Sequence, residues 1–164
     1  LGIAGLTIVV IRKGLLNLNP DLPAYLNYNT HAQKESAYNT PSTYAIYISN
    51  LVLEWMEDLG GLEAVYQLNK EKAELFYDYL DDSKLFNATV FGKDRSLMNI
   101  PFITGDDDLD KDFVAYADNR NIKNIKGHRS IGGMRASMYN SMPIEGVEAL
   151  IQVMKDFEKT KGEN

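Results

Sequence analysis

The residues best suited to chemistry lie in one short stretch, from Gly127 to Pro143. Arg129 and Arg135 carry planar guanidinium groups, each of which can bind a carboxylate or phosphate through two hydrogen bonds. His128 adds a donor and, when protonated, a further positive charge. A pair of glycines between the arginines allows backbone conformations that a Cβ would forbid. The pattern is typical of a site for a small substrate with an anionic group at each end.

Spacing alone leaves a simpler interpretation open. Arg129 and Arg135 can be surface cations on an acidic protein, and the two glycines can form an ordinary hairpin turn. The same ambiguity applies to Asn39-Thr40-Pro41. Thr40 is a credible N-cap with Pro41 at the first helical position, and a helix N-terminus with a free hydroxyl and amide suits a phosphate. Capping without any ligand explains the same residues.

Composition and charge exclude several classes of protein. The 164 residues have a net charge of −6, so a basic surface for nucleic acid is not expected. There are no cysteines, which excludes disulfides and thiolate chemistry and fits a reducing compartment. We therefore predict a cytoplasmic protein. No apolar run approaches the roughly 18 residues of a membrane helix.

The first third of the chain is predicted to contain one strand and one long helix. Residues 6–11 are apolar and mostly β-branched, which predicts a buried strand. Residues 12–37 are turn-rich, and His31 is expected to make a loop or partner contact, because nothing nearby completes a metal site. A helix is then expected from Thr40 to about Leu59. The abrupt apolar start favours a piece of a larger protein.

The remainder alternates short strands with helices. Apolar residues at helical spacing predict a helix over 62–80. The further predicted elements are strands at Leu85–Phe91 and Ser96–Ile103, a helix at Leu109–Arg120, strands at Ile122–Lys126 and Met134–Tyr139, and a final helix capped by Ser141. The polar tail, residues 158–164, is expected to fray. This order predicts an α/β protein of the α+β kind, with helices packed on one face of a small mixed or antiparallel sheet.

The pattern GHR-x-x-GGMRAS-x-YN-x-MP at residues 127–143 resembles the C-terminal signature of the phosphoserine aminotransferase family. These are class-V, fold-type-I enzymes that depend on pyridoxal 5'-phosphate (PLP). Residues 39–41 and the Gly-x-Ala-Gly-Leu-Thr pattern at residues 2–7 resemble further family motifs, so that the resemblance covers nearly the whole chain. Ile3 departs from it, since many members carry proline there.

The resemblance implies a reaction and a role for each matching residue. The reaction, in L-serine biosynthesis, converts 3-phosphohydroxypyruvate and L-glutamate to O-phospho-L-serine and 2-oxoglutarate. His128 and Arg129 are implied to hold the substrate phosphate, and Arg135 to bind its α-carboxylate. Asn39 and Thr40 are implied to bind the phosphate of the PLP held by the other subunit of a homodimer.

The resemblance also implies that residues 1–75 belong to the large PLP-binding domain and residues 76–164 to a small C-terminal domain. The lysine that forms the Schiff base in the family would lie two positions before Leu1. We therefore expect no aminotransferase activity from these 164 residues alone. The alternative is a non-catalytic α+β module that binds a small dianion or a partner chain. Such a module would have no use for Asn39 and Thr40 and would not begin in a buried strand.

Overall fold

The computed structural model describes residues 2–162 and contains two compact units, residues 1–59 and 60–164. In the first unit, Tyr28–Gln33 forms helix α1 and Thr43–Asp58 forms helix α2. Short 3-10 turns occupy Lys13–Leu15 and Ala24–Leu26. The unit is therefore one long helix preceded by turn-rich chain.

The predicted strand at residues 6–11 is wrong. This segment has no regular secondary structure, and the side chain of Val10 within it is 96% exposed. A strand needs a neighbour to accept its backbone hydrogen bonds, and the described part of this unit contains no strand. Leu1, where the predicted abrupt start lies, is outside the described residues.

Helix α2 starts later than predicted. Its N-cap is Ser42 and its first residue is Thr43, so Thr40 is not the cap and Pro41 is not in the first turn. The amide of Thr43 instead donates to the carbonyl oxygen of Pro41 at 2.9 Å, which forms a tight turn ahead of the helix. This turn leaves Asn39 and Thr40 in exposed, irregular chain.

The second unit is a small α+β fold, as predicted. Its strands form one antiparallel sheet in the order β1-β2-β3. Its elements are α3 (Gly61–Asp82), β1 (Asn87–Ala88), β2 (Asn99–Ile103), α4 (Asp107–Asp118), β3 (Met134–Ser137) and α5 (Ile144–Gly162).

The core covers one face of this sheet. Residues alternate between buried and half-buried along β2 and β3, as the two-residue period of a strand requires. Phe86 and Phe102 are fully buried, and the ring centroids of Phe86 and Phe113 are 4.7 Å apart. Helices α3, α4 and α5 supply the other side of this cluster.

The opposite face of the sheet is only half-buried, and it carries Arg135. Its neighbours on that face include Pro101, the partner of Arg135 across the β2–β3 pairing, and Ser137. The hydroxyl of Ser137 donates to the Asn99 side-chain oxygen at 3.1 Å. Strand alternation therefore separates a core face from a face on which polar side chains can meet a ligand.

The predicted strands of this unit need correction. Residues 122–126 do not form a strand, and only Lys126 bridges to Met134. Left-handed backbone conformations at Asn121 and Asn124, with φ of 65° and 61°, interrupt any extended run. The predicted strands at 85–91, 96–103 and 134–139 are all shorter in the structure, since β1 has two residues, β2 has five and β3 has four.

The last helix also differs from its prediction. Helix α5 begins at Ile144, directly after Pro143, so Ser141 is not its cap. The helix continues through residue 162, and the tail does not fray over 158–162. Lys159 and Lys161 suit the negative end of the helix dipole, and the Lys161 ammonium lies 3.1 Å from the Asp112 carboxylate. Residues 163–164 of the predicted tail lie outside the described residues.

None of the helices within residues 2–162 combines the length and hydropathy needed to cross a lipid bilayer.

Candidate anion-binding sites

A closed loop presents His128 and Arg129. The amide of Gly127 donates to the carbonyl oxygen of Gly133 at 2.8 Å, and the amide of Gly132 donates to the carbonyl oxygen of His128 at 2.9 Å. A Cβ on Gly127 would lie only 2.0 Å from the carbonyl oxygen of Gly132. The glycines therefore permit a backbone approach that any other residue would prevent.

The side chains of His128 and Arg129 are exposed on this loop. The His128 Nδ1 atom lies 2.8 Å from the Ser130 hydroxyl, which orients the imidazole ring. Arg129 makes no ion pair and no side-chain hydrogen bond with any residue from 2 to 162. Both side chains line a groove of about 660 Å³, which Lys111 and Lys126 also line.

Helix α4 forms the opposite wall of this groove and contributes acidic residues. Asp110 is buried and accepts hydrogen bonds from the Thr104 amide and hydroxyl at 2.8 and 2.7 Å. Asp118 pairs with Lys123 at 2.9 Å. Asp107 also lines the groove, but Arg129 forms no ion pair with any of these three carboxylates, so its guanidinium stays available for an anion.

Arg135 occupies a second groove, of about 540 Å³. Its backbone is held by β3 and by a 2.7 Å hydrogen bond from its amide to the carbonyl oxygen of Ile125. Its Nε atom is buried without a hydrogen-bond partner, and its guanidinium forms no ion pair within the described residues. A guanidinium that has no acceptor among the described residues is suited to an anion that binds its remaining donors.

The two grooves have no lining residue in common. The structure therefore brings His128 and Arg129 together and places Arg135 in a separate groove. The two arginines can thus hold two separate anionic groups.

Asn39 and Thr40, in the first unit, lie just ahead of the sixteen-residue helix α2. Their side chains are exposed and make no hydrogen bond within residues 2–162. The hydroxyl of Ser42 does not cap the helix either. Since the first amides of a helix lack partners inside it and face the positive end of its dipole, this segment fits a phosphate group.

Two functional candidates on α3 escaped the sequence analysis, which assigned this helix no chemistry. Asn69 and Lys72 are each only 3% exposed. The sequence did contain a signal for their burial. Asn69 and Lys72 lie between Val65 and Phe76 at the helical spacing that places all four residues on the apolar, core-facing side of the helix. Polar residues at two successive core positions indicate a polar partner elsewhere in the fold.

His31 makes a local contact, since its Nε2 atom lies 2.7 Å from the carbonyl oxygen of Tyr25. Its ring also meets those of Tyr25 and Tyr38 edge to face. Over residues 2–162, no cluster of three or more histidine, aspartate and glutamate side chains is placed to hold a metal ion.

Comparisons with known proteins agree on one family. The model of the class-V aminotransferases matches residues 1–150. The phosphoserine aminotransferase of Lactobacillus helveticus is 48% identical over 164 residues, which is all of this chain and 44% of that protein. The chain thus spans less than half the length of the curated relatives it matches.

Two solved structures have the same fold. Phosphoserine aminotransferase from Bacillus circulans subsp. alkalophilus superposes with a TM-score of 0.89 at 42% identity, over 92% of this chain and 42% of that one. The PLP-bound enzyme from Trichomonas vaginalis gives a TM-score of 0.83 at 40% identity, over 88% of this chain and 42% of that one. This likeness bears out the predicted fold type.

Proposed function

This chain belongs to the class-V aminotransferase family, and on that premise we propose that the protein containing it is a PLP-dependent phosphoserine aminotransferase. It would transfer the amino group of L-glutamate to 3-phosphohydroxypyruvate, a step in L-serine biosynthesis. The relatives' names support this choice. The structural observation that carries it is the presence of two separate grooves, each lined by an arginine that forms no ion pair within the described residues, since both substrates carry two anionic groups.

Arg135 is proposed to bind the α-carboxylate that L-glutamate and phosphoserine, the two amino donors of the reversible reaction, have in common. Its half-buried guanidinium lacks an acceptor, and a carboxylate matches the two-pronged geometry of its donors. Rigid placement on β3 fixes the direction from which the carboxylate must approach. This residue would therefore orient the substrate rather than take part in proton transfer.

His128 and Arg129 are proposed to bind the phosphate of phosphoserine or 3-phosphohydroxypyruvate. An exposed loop closed by its glycines holds both donors on one groove. Since the 164 residues of this chain have a net charge of −6, the guanidinium of Arg129 supplies a local positive charge that attracts an anionic substrate.

Asn39 and Thr40 are proposed to hold the phosphate of PLP, and their free polar side chains at the start of α2 fit that group. When bound, PLP supplies the electron-accepting ring on which amino transfer depends. The residues of this chain contribute binding and orientation. By the family resemblance, the PLP they contact belongs to the other subunit of a cytoplasmic homodimer, and residues 1–75 and 76–164 belong to the large and small domains.

The test uses the intact protein loaded with PLP. We expect glutamate and 3-phosphohydroxypyruvate to yield phosphoserine, and we expect Arg129→Ala to lower kcat/KM for phosphoserine much more than for glutamate. Arg120→Ala is the matched control, because that guanidinium stacks on the Tyr116 ring, 3.4 Å from its centroid, and lines neither groove.

Two results would contradict the proposal. Absence of amino transfer by the intact protein, with dianion binding retained, would favour the alternative of a non-catalytic module. Equal losses for the two substrates in Arg129→Ala would show that the phosphate is bound elsewhere.

A further inference from the structure

Lys72 is a buried lysine without an acidic partner. It is 3% exposed, and none of its contacts within the described residues is with a carboxylate. Its ammonium donates instead to the backbone carbonyl oxygens of Tyr139 and Met142, at 2.9 and 3.0 Å. Burial lowers the pKa of this group below the ordinary lysine value.

The two carbonyl oxygens belong to the ends of a single turn. The amide of Met142 donates to the carbonyl oxygen of Tyr139 at 2.9 Å, so Lys72 bridges the first and fourth residues of a four-residue turn. Asn69, one helical turn before Lys72, donates from its side-chain amide to the side-chain oxygen of Asn140 at 2.8 Å. Helix α3 therefore fastens this turn at three points.

The turn forms part of the wall of the Arg135 groove. Tyr139 and Met142 both line that groove, together with Gly146 in the first turn of α5. A Cβ on Gly146 would lie 2.6 Å from the Met142 sulfur, so Met142 packs directly against the helix. A shift of the turn would thus change the shape of the groove that Arg135 also lines.

The choice of lysine is unexpected on grounds of stability. An apolar residue of similar length would fill the same space without the cost of burying an ammonium group. A charged group that persists in such a position needs another reason, and its contacts lead directly to a wall of the Arg135 groove.

We propose that Lys72 is a positioning residue for carboxylate recognition at Arg135, acting by fixing the Tyr139–Met142 turn that forms a wall of the groove. This inference rests on the proposed function for the identity of the bound carboxylate. Lys72 does not touch the substrate. It holds the groove in the shape that lets a carboxylate meet the guanidinium.

The test is a double-mutant cycle in the intact, PLP-loaded protein. The probe is glutarate, which has the two carboxylates of glutamate and 2-oxoglutarate but neither the amino group of the first nor the keto group of the second. Because glutarate cannot react, its binding can be measured by calorimetry without turnover. We expect Lys72→Met to weaken glutarate binding about tenfold when Arg135 is present, and less than twofold in the Arg135→Ala background, since residues that act through one another are not additive.

Lys70→Met is the matched control. Lys70 lies on the same helix but is exposed and pairs with Glu74 at 3.6 Å, so we expect unchanged affinity. If Lys72→Met fails to fold, Asn140→Ala removes a second tie to the same turn, and we expect a loss of about threefold with the same dependence on Arg135. A merely structural role would lower the denaturation midpoint but leave glutarate affinity unchanged.

Two outcomes would overturn the inference. In the first, folded Lys72→Met binds glutarate with the affinity of the unmodified protein. In the second, the substitution lowers the glutarate affinity by the same factor whether residue 135 is arginine or alanine, and the same criteria apply to Asn140→Ala if it is used instead. The proposed function fails by a different observation, the absence of amino transfer by the unmodified protein. Because the glutarate cycle needs no turnover, it decides the role of Lys72 in either case.

Discussion

Gly127 and Gly133 are joined by a 2.8 Å hydrogen bond from the amide of the first to the carbonyl oxygen of the second. This bond closes the loop that carries His128 and Arg129. The same approach brings the carbonyl oxygen of Gly132 to within 2.0 Å of the position that a Cβ on Gly127 would occupy. The geometry of the proposed phosphate site therefore depends on a residue that has no side chain.

Gly127→Ala should open this loop, because a methyl group cannot occupy space already taken by a backbone oxygen. We expect kcat/KM for phosphoserine to fall at least tenfold, with a much smaller change for glutamate. Gly14→Ala is the control, since no described atom lies within 4 Å of its added Cβ. The measurement is steady-state kinetics with glutamate and with phosphoserine as amino donors. Unchanged phosphoserine kinetics in Gly127→Ala would contradict the prediction that phosphate binding depends on this loop geometry.

Arg135→Lys should weaken glutamate and phosphoserine by similar factors, since both carry the α-carboxylate. Lysine keeps the charge but loses the planar pair of donors. Removing part of a desolvated charge interaction costs roughly 2–5 kcal/mol, so a loss of at least tenfold in kcat/KM is expected. A loss confined to one of the two substrates would show that Arg135 does not bind their common group.

Phe86→Ala should destabilise the second unit strongly. Phe86 is fully buried and contacts the rings of Phe102, Phe113 and Phe157. Removing a core aromatic ring costs about 3–5 kcal/mol of unfolding free energy. Phe91→Ala, at a position 70% exposed, should change it by less than about 0.5 kcal/mol. Urea denaturation measures both, and comparable effects would place Phe86 outside the core.

The pair formed by Asp81 and Arg95 should make stability depend on acid pH. The hydrogen bond from Arg95, 2.9 Å from Nη1 to Oδ2, holds the pKa of Asp81 below its ordinary value. Because the folded pKa is the lower one, the unfolded state binds more protons as the pH falls. The contribution of the pair is thus complete well above pH 4 and is lost as the pH falls through the folded pKa.

Asp81→Asn removes this titrating group and should flatten the pH dependence of the unfolding free energy between about pH 5 and pH 2. Asp82→Asn, on the neighbouring residue, is the control. Urea unfolding at several pH values compares the slopes. A slope in Asp81→Asn equal to that of the unmodified protein would contradict the assignment.

Much of the helical structure could be predicted from the sequence, which also contained the residues that we propose for the two anion sites. Apolar residues at helical spacing located α3 to within two residues at each end and predicted the existence of α5, although not its ends, because a helix makes its backbone hydrogen bonds within itself. The chemistry of the arginines and the glycine pair between residues 127 and 143 suited anion binding, but surface cations around an ordinary turn explained the same residues. The resemblance to one family then implied a role for each.

The sequence alone could not decide which extended segments would become strands, or which surfaces the charged residues would share. The apolar run at residues 6–11 and the segment 122–126 both had strand-like composition, but a strand exists only where a neighbour accepts its hydrogen bonds. The division of Arg129 and Arg135 between two grooves, and the burial of Lys72 against the 139–142 turn, follow from contacts between residues far apart in the chain. Composition and spacing describe neighbours along the chain, whereas these features depend on neighbours in space.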